Sequence, residues 1–121
     1  MAYVDGFVIP VPKKKLRAYM NMAKLAGRIW RDHGALEFRE AVADDVKVGK
    51  RTSFPRSVKL KRGETVVYSW IVFKSRADRD RVNAKVMKDK RFAKIMNLDA
   101  KSMPFDGKRM IYGGFKVLLD A

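Results

Sequence analysis

Apolar positions change spacing several times along the chain, and each change marks an element. Residues 4–11 (VDGFVIPV) are rich in β-forming side chains and run into Pro10 and Pro12, which suit the end of a strand better than its interior. From residue 13 to residue 32 the period becomes helical, with Leu16, Tyr19, Met20, Ala23, Ala26, Gly27 and Trp30 at steps of three and four. Gly34 follows as a stop, and Arg28, Arg31 and His33 sit near the negative end of that helix dipole. Residues 36–43 alternate, with Leu36, Phe38, Glu40 and Val42 on one side, predicting a strand with one buried face. A long connection spans 46–63. Residues 65–73 (TVVYSWIVF) form the most strongly β-forming run. Ser75 then reads as a helix N-cap, with Asp78 in the capping-box position, and opens a helix through Val82, Val86 and Met87. A further turn or two carries Phe92, Ile95 and Met96. The SMPFDG segment predicts a turn, because Pro104 and Asp106 with Gly107 preset turn dihedrals, and residues 109–119 make the last strand.

The order is strand, helix, strand, strand, helix, strand. That predicts one α+β domain over residues 1–121: a ferredoxin-like βαββαβ fold, with a four-stranded antiparallel sheet and both helices on one face. Strand parity adds a second expectation. Tyr3, Phe7 and Ile9 share one side of the first strand while Val4 and Val8 share the other. In the third strand Val67, Ile71 and Phe73 oppose Val66, Tyr68, Trp70 and Val72. In the last, Met110, Tyr112 and Leu118 oppose Ile111, Phe115 and Val117. A sheet with one wet face carries polar residues there, and these strands do not. Two helices cover one face only, so the other predicts a homodimer joined sheet to sheet, unless the long basic connection folds over it. Gly113 and Gly114 interrupt the last strand. In this topology they fall near Gly6, which predicts a bulge or a contact with a partner backbone, with a ligand approaching the backbone as the alternative.

Composition refines the picture. Length and a 47% hydrophobic fraction fit a folded domain, and the absence of cysteine removes disulfides, thiolate catalysis and cysteine-ligated zinc. The apolar run at the N-terminus is too short for a signal peptide or a membrane span, so no membrane is expected as a partner and the expected location is cytoplasmic. Charge is the outlier: 28 Lys and Arg against 13 Asp and Glu give a net +15. Lys47, Lys50, Arg51, Arg56, Lys59, Lys61 and Arg62 crowd the long connection. Such a field attracts polyanions without reading a sequence, and non-specific nucleic-acid contact through these residues is one expectation.

Several stretches (YVDGFVIPVP, HGALEF at 33–38, ADD at 43–45, TSFPR at 52–56, TVVYSWIVF, RDRVNAKVM at 79–87 and SMPFDGKRMIYGGF) occur in an order that resembles the YbaA-like family of uncharacterised bacterial proteins, domain of unknown function 1428. The resemblance spans essentially the whole chain. It implies the dimeric α/β-barrel fold, in which two ferredoxin-like sheets pack together, and it brings no established reaction.

Chemistry-bearing residues are few. His33 is the sole histidine and a general base by its intrinsic pKa, although a histidine before a helix-ending glycine is more often a cap. Asp44 and Asp45 form an acidic pair of a kind that is usually solvated, and no metal site or cofactor is expected. VGKRTS at 48–53 lacks the glycine and Ser/Thr spacing of a phosphate loop. The candidate catalytic or cavity-mouth residues are His33, Glu37, Asp106, Arg109 and Tyr112, and the candidate ligand contacts are Trp70, Arg109 and Tyr112. Two functions follow as expectations. One is a homodimeric small-molecule binding protein or cofactor-independent enzyme. The other is a basic RNA-binding protein using Tyr68 and Trp70 as stacking platforms.

Overall fold

A central strand, β1 (Tyr3–Pro12), organises a four-stranded antiparallel sheet in the computed structural model, which describes residues 1–99 and 101–121. β1 pairs along its length with β3 (Glu64–Phe73), and from Tyr3 to Val8 with β4 (Ile111–Lys116). β2 (Glu37–Val42) is added outside β3, so the order is β2-β3-β1-β4, the ferredoxin-like arrangement. α1 (Leu16–Asp32) follows a single 3-10 turn at Lys13–Lys15. A short α2 (Phe54–Ser57) interrupts the basic connection, and α3 (Arg76–Met87) and α4 (Lys90–Met96) join β3 to β4. Among the described residues, no helix is long and apolar enough to cross a membrane.

The element ends follow local chemistry. Ser75 accepts a hydrogen bond from the Asp78 backbone N–H at 3.1 Å and starts α3. Gly34, at φ +118°, turns the chain out of α1, a conformation that side chains other than glycine rarely adopt. The prolines sit at the end of β1 as the sequence predicts, the strand running through Pro10 and stopping at Pro12. Lys13 N–H donates to the Gly63 carbonyl at 2.9 Å on the β3 side. By the two-residue period, Pro10 and Pro12 turn their nitrogens the other way, toward β4. Pairing there stops at Val8, so the missing N–H groups break no ladder bond.

Odd-numbered β1 and β3 residues face the helices. Tyr3, Ile71 and Phe73 meet Ile29 of α1, Val82 and Val86 of α3, and Phe92 and Ile95 of α4 in one core cluster. Ile9, Val11 and Val67 meet Tyr19 and Ala23 in a second. The opposite face carries Val4, Val8, Val66, Tyr68, Trp70, Val72, Ile111 and Phe115. The basic connection covers one corner of it: Phe54 stands edge-on to Tyr68 with ring centroids 5.9 Å apart, and Val66 beneath is buried. Tyr68, Ile111 and Phe115 remain 44%, 42% and 64% exposed in the single chain. The connection therefore does not replace a second covering layer.

β2 and β4 are shorter than expected. Leu36 precedes β2 at 51% exposure, Val42 matches it at the far end, and the buried side of β2 reduces to Phe38 and Glu40. β4 starts after Arg109, whose side chain is drawn off to the connection, and ends at Lys116. Gly6 does lie opposite Gly113, but the register advances evenly from Tyr3–Lys116 to Val8–Ile111 with no bulge. Within the chain, side chains approach these glycines closely. A Cβ on Gly114 would stand 2.5 Å from the Tyr3 hydroxyl oxygen and 2.8 Å from a ring carbon, while the Phe115 ring lies over Gly113 and Gly6. Gly114→Ala is expected to destabilise the fold by about 1–3 kcal/mol in urea titrations, the range for overpacking. The loss should shrink in a Tyr3→Ala background, where the obstruction is gone.

Candidate functional site

The structure scatters the residues singled out from the sequence. His33 Nε2 lies 2.8 Å from Asp89 Oδ2, tying the end of α1 to the cap of α4. The Arg91 guanidinium and His33 hold the Asp89 carboxyl well below the usual range. Glu37 is exposed at the sheet edge beside Arg39. Arg109 is committed within the chain. It forms a bidentate pair with Glu64 (2.9 and 2.6 Å), bonds Asp106 at 2.9 Å, and donates to the carbonyls of Val58 and Lys59 at 3.3 and 3.0 Å. With its side chain 15% exposed, it pins the connection to the turn before β4. Trp70 lies on the open sheet face, tilted against Tyr68 with centroids 5.6 Å apart. Of the basic connection residues, Arg56 folds back onto the carbonyls of Val48 and Gly49, while Lys47, Lys50, Arg51, Lys59, Lys61 and Arg62 stand exposed.

Tyr112 belongs to a different cluster, centred on a residue the sequence did not flag. Asp5 is 1% exposed on the helix side of β1. Arg79 of α3 donates to Asp5 Oδ1 and to the Tyr112 hydroxyl, both at 2.9 Å, and its guanidinium lies 4.9 Å from the Tyr3 ring centroid. Trp30 Nε1–H donates to Asn83 at 2.9 Å, and Asn83 reaches Asp5 at 3.5 Å. Burial pushes the Asp5 carboxyl up against the pull of Arg79. This network joins α1, α3, β1 and β4, and no polar side-chain atom buried among the described residues lacks a partner. It is a closed structural tie.

A groove of about 440 Å³ opens elsewhere, between α1 and the edge strand β2, lined by Met20, Ala23, Lys24, Gly27, Arg28, Arg31, Phe38 and Glu40. Ligand sites usually fall in the range of about 300–1,000 Å³. Its shape follows from small residues on one helix face. Ala23 and Gly27 keep the helix surface low, and a Cβ on Gly27 would come within 2.9 Å of the Phe38 ring. On the floor, Glu40 accepts from the Tyr19 hydroxyl at 2.7 and 3.0 Å. Burial raises the Glu40 carboxyl to about 6, against the lowering effect of hydrogen bonds from Tyr19 and Ser69. Burial, then the adjacent Glu40 charge, pushes the Tyr19 hydroxyl up, so it stays a neutral donor. On the rim, Arg31 bonds the carbonyls of Ala35 and Leu36. Lys24 and Arg28 are exposed and form no ion pair among the described residues. The arrangement offers a carboxylate acceptor with near-neutral affinity for a proton, an apolar step and free cations.

Sequence reasoning missed this groove. The available signal was parity: Glu40 shares the inward side of its strand with Phe38, as Asp5 shares that of Tyr3 and Phe7. An acid on the apolar side of a strand marks a polar partner or a site.

With this geometry in view, comparison with known proteins places the sequence. A family profile described as "Protein of unknown function (DUF1428)" matches residues 2–107. The uncharacterized protein YbaA of Escherichia coli (strain K12) and that of Shigella flexneri are each 48% identical over 120 residues, covering 99% of this chain and 99% of the relative.

The Glu40 environment has a measurable consequence. The folded state holds the proton more tightly than an unfolded carboxyl near 4.5, so stability from this group is fullest at low pH and falls as pH rises from about 4.5 through 6. Relative to Glu40→Gln, the wild type should lose about 2 kcal/mol across that window, read from paired urea titrations at several pH values.

Proposed function

The chain belongs to the DUF1428 family, and from that footing we propose a homodimer that binds a small molecule in the α1–β2 groove of each subunit. The observation that carries the binding reading is Glu40. An ionisable carboxyl sits mostly buried at the floor of an apolar groove, held by a neutral hydroxyl and without a cationic partner among the described residues. A role in packing alone would favour an apolar side chain there, because a charge buried without its counter-ion costs stability. Such a residue in a cleft is a mark of a functional site.

The dimer reading rests on the open sheet face. Val4, Val8, Trp70, Val72, Ile111 and Phe115 form an apolar surface that the helices leave uncovered. Burying about six such side chains is worth on the order of 10 kcal/mol before association costs, enough to drive pairing of two copies.

Nucleic-acid binding is the second reading, favoured by the seven exposed cations of the connection and by the Tyr68–Trp70 pair. The stacking form of that reading needs both rings accessible, and a sheet-to-sheet dimer removes them. Charge attraction alone would vanish uniformly as salt rises, with no preference among RNAs.

Light scattering at micromolar concentration is expected to give twice the mass of one chain. Trp70→Glu should give a particle of one chain with the helix and strand content retained, whereas a wild type stable as a single chain overturns the dimer. Small molecules that raise the melting temperature should lose that effect in Lys24→Trp, which fills the groove mouth from an exposed position. Ligands that still stabilise Lys24→Trp would place binding elsewhere.

A further inference from the structure

The groove is polar at two levels and apolar between them, and that order selects a class of ligand. α1 turns at Gly34 into β2, which returns alongside it. Phe38 therefore lies against Gly27, and Glu40 lies against Tyr19 and Ala23. Arg28 is five residues beyond Ala23, about 7.5 Å further along the helix axis at a rise of about 1.5 Å per residue. Between the two levels the surface is low and flat. Ala23 contributes a methyl, Gly27 no side chain, and Phe38 a ring.

Each level has unused capacity. A carboxylate accepts about four hydrogen bonds. Glu40 receives the Tyr19 hydroxyl, and Ser69 from the sheet beneath, which leaves acceptor capacity toward the groove. Arg28 is exposed with no carboxylate partner among the described residues, and Lys24 stands one turn before it on the same stripe. A guanidinium offers a planar fork that matches a carboxylate with two parallel bonds. The cationic rim disfavours an amine as the group that donates to Glu40, because Lys24, Arg28 and Arg31 would repel it. A hydroxyl donates without charge.

Resting on the groove reading above, we propose that the ligand is a phenolic organic acid. Its ring lies over the Gly27–Phe38 step, its hydroxyl donates to Glu40, and its carboxylate pairs with Arg28, with Lys24 alongside. An aromatic body suits the step, because rings gain from offset contact with another ring beyond the area they bury.

Isothermal titration of the full chain with para-hydroxyphenylacetate, phenylacetate and para-hydroxyphenylacetamide separates the contacts. The wild type should bind para-hydroxyphenylacetate about tenfold or more tightly than phenylacetate, the worth of one hydrogen bond to a charged group. That ratio should fall several-fold in Glu40→Gln, while Arg28→Met should make the acid and the amide equal. Equal affinity of the wild type for the hydroxylated and unhydroxylated acids overturns the proposal, as does a ratio unchanged by Glu40→Gln. The comparison between ligands is made on the wild type and does not depend on any variant folding. If para-hydroxyphenylacetate fails to bind while other molecules still lose their effect in Lys24→Trp, the ligand class is wrong and the groove stands. If it binds and Lys24→Trp leaves it bound, the groove assignment is wrong as well.

Discussion

A single layer of helices covers one face of a four-stranded sheet, and this chain is apolar on both. Most of the molecule answers to that constraint. On the covered side, β1 and β3 commit alternate residues to a core continuous with α1, α3 and α4, where Val11, Ile29, Phe73, Val82 and Val86 are fully buried. On the other side the connection before β3 buries Pro55 and Val58 and lends one ring, Phe54, to the corner at Tyr68. That contact leaves Ile111 and Phe115 of β4 exposed and Trp70 and Val72 only half-buried within the single chain.

Two acids on the inward side of the sheet show how different partners lead to different roles. Asp5 meets a guanidinium, and its charge is balanced by Arg79 inside a network that reaches Tyr112 and Asn83. Removing one member of such a pair strands the other, so it acts as a fastening. Glu40 meets only hydroxyls. Its charge is solvated by neutral donors, its proton affinity is raised, and its free side faces a groove. The first arrangement holds the fold together. The second leaves a mostly buried carboxyl at the floor of a groove with no counter-ion among the described residues.

Much of the fold was legible because its signals are local. The switch from period two to steps of three and four located α1, and Ser75 with Asp78 located the start of α3. The pairing of Gly6 with Gly113 followed from topology alone. What occupies the space above Gly114 did not, because Tyr3 reaches it from a neighbouring strand. The candidate site was less legible for the same reason. Tyr19 and Glu40 are 21 positions apart, and Arg109 and Glu64 are 45 apart. Arg109 looks from its neighbours like a free cation beside a turn, and only the fold shows its fork already filled. His33 was placed correctly at the end of α1, but its partner Asp89 lies 56 residues away.

The central position of β1 also governs how the chain is assembled during synthesis. β1 precedes both of its partners in the chain, so its two hydrogen-bonding edges stay unpaired until the segments ending at Phe73 and then Lys116 have been made. A waiting strand with two apolar faces is a template for pairing with other nascent chains. Pro10 and Pro12 blunt one of those edges, since a row of missing donors cannot be extended by a foreign strand. The two prolines that close the strand thereby also guard it.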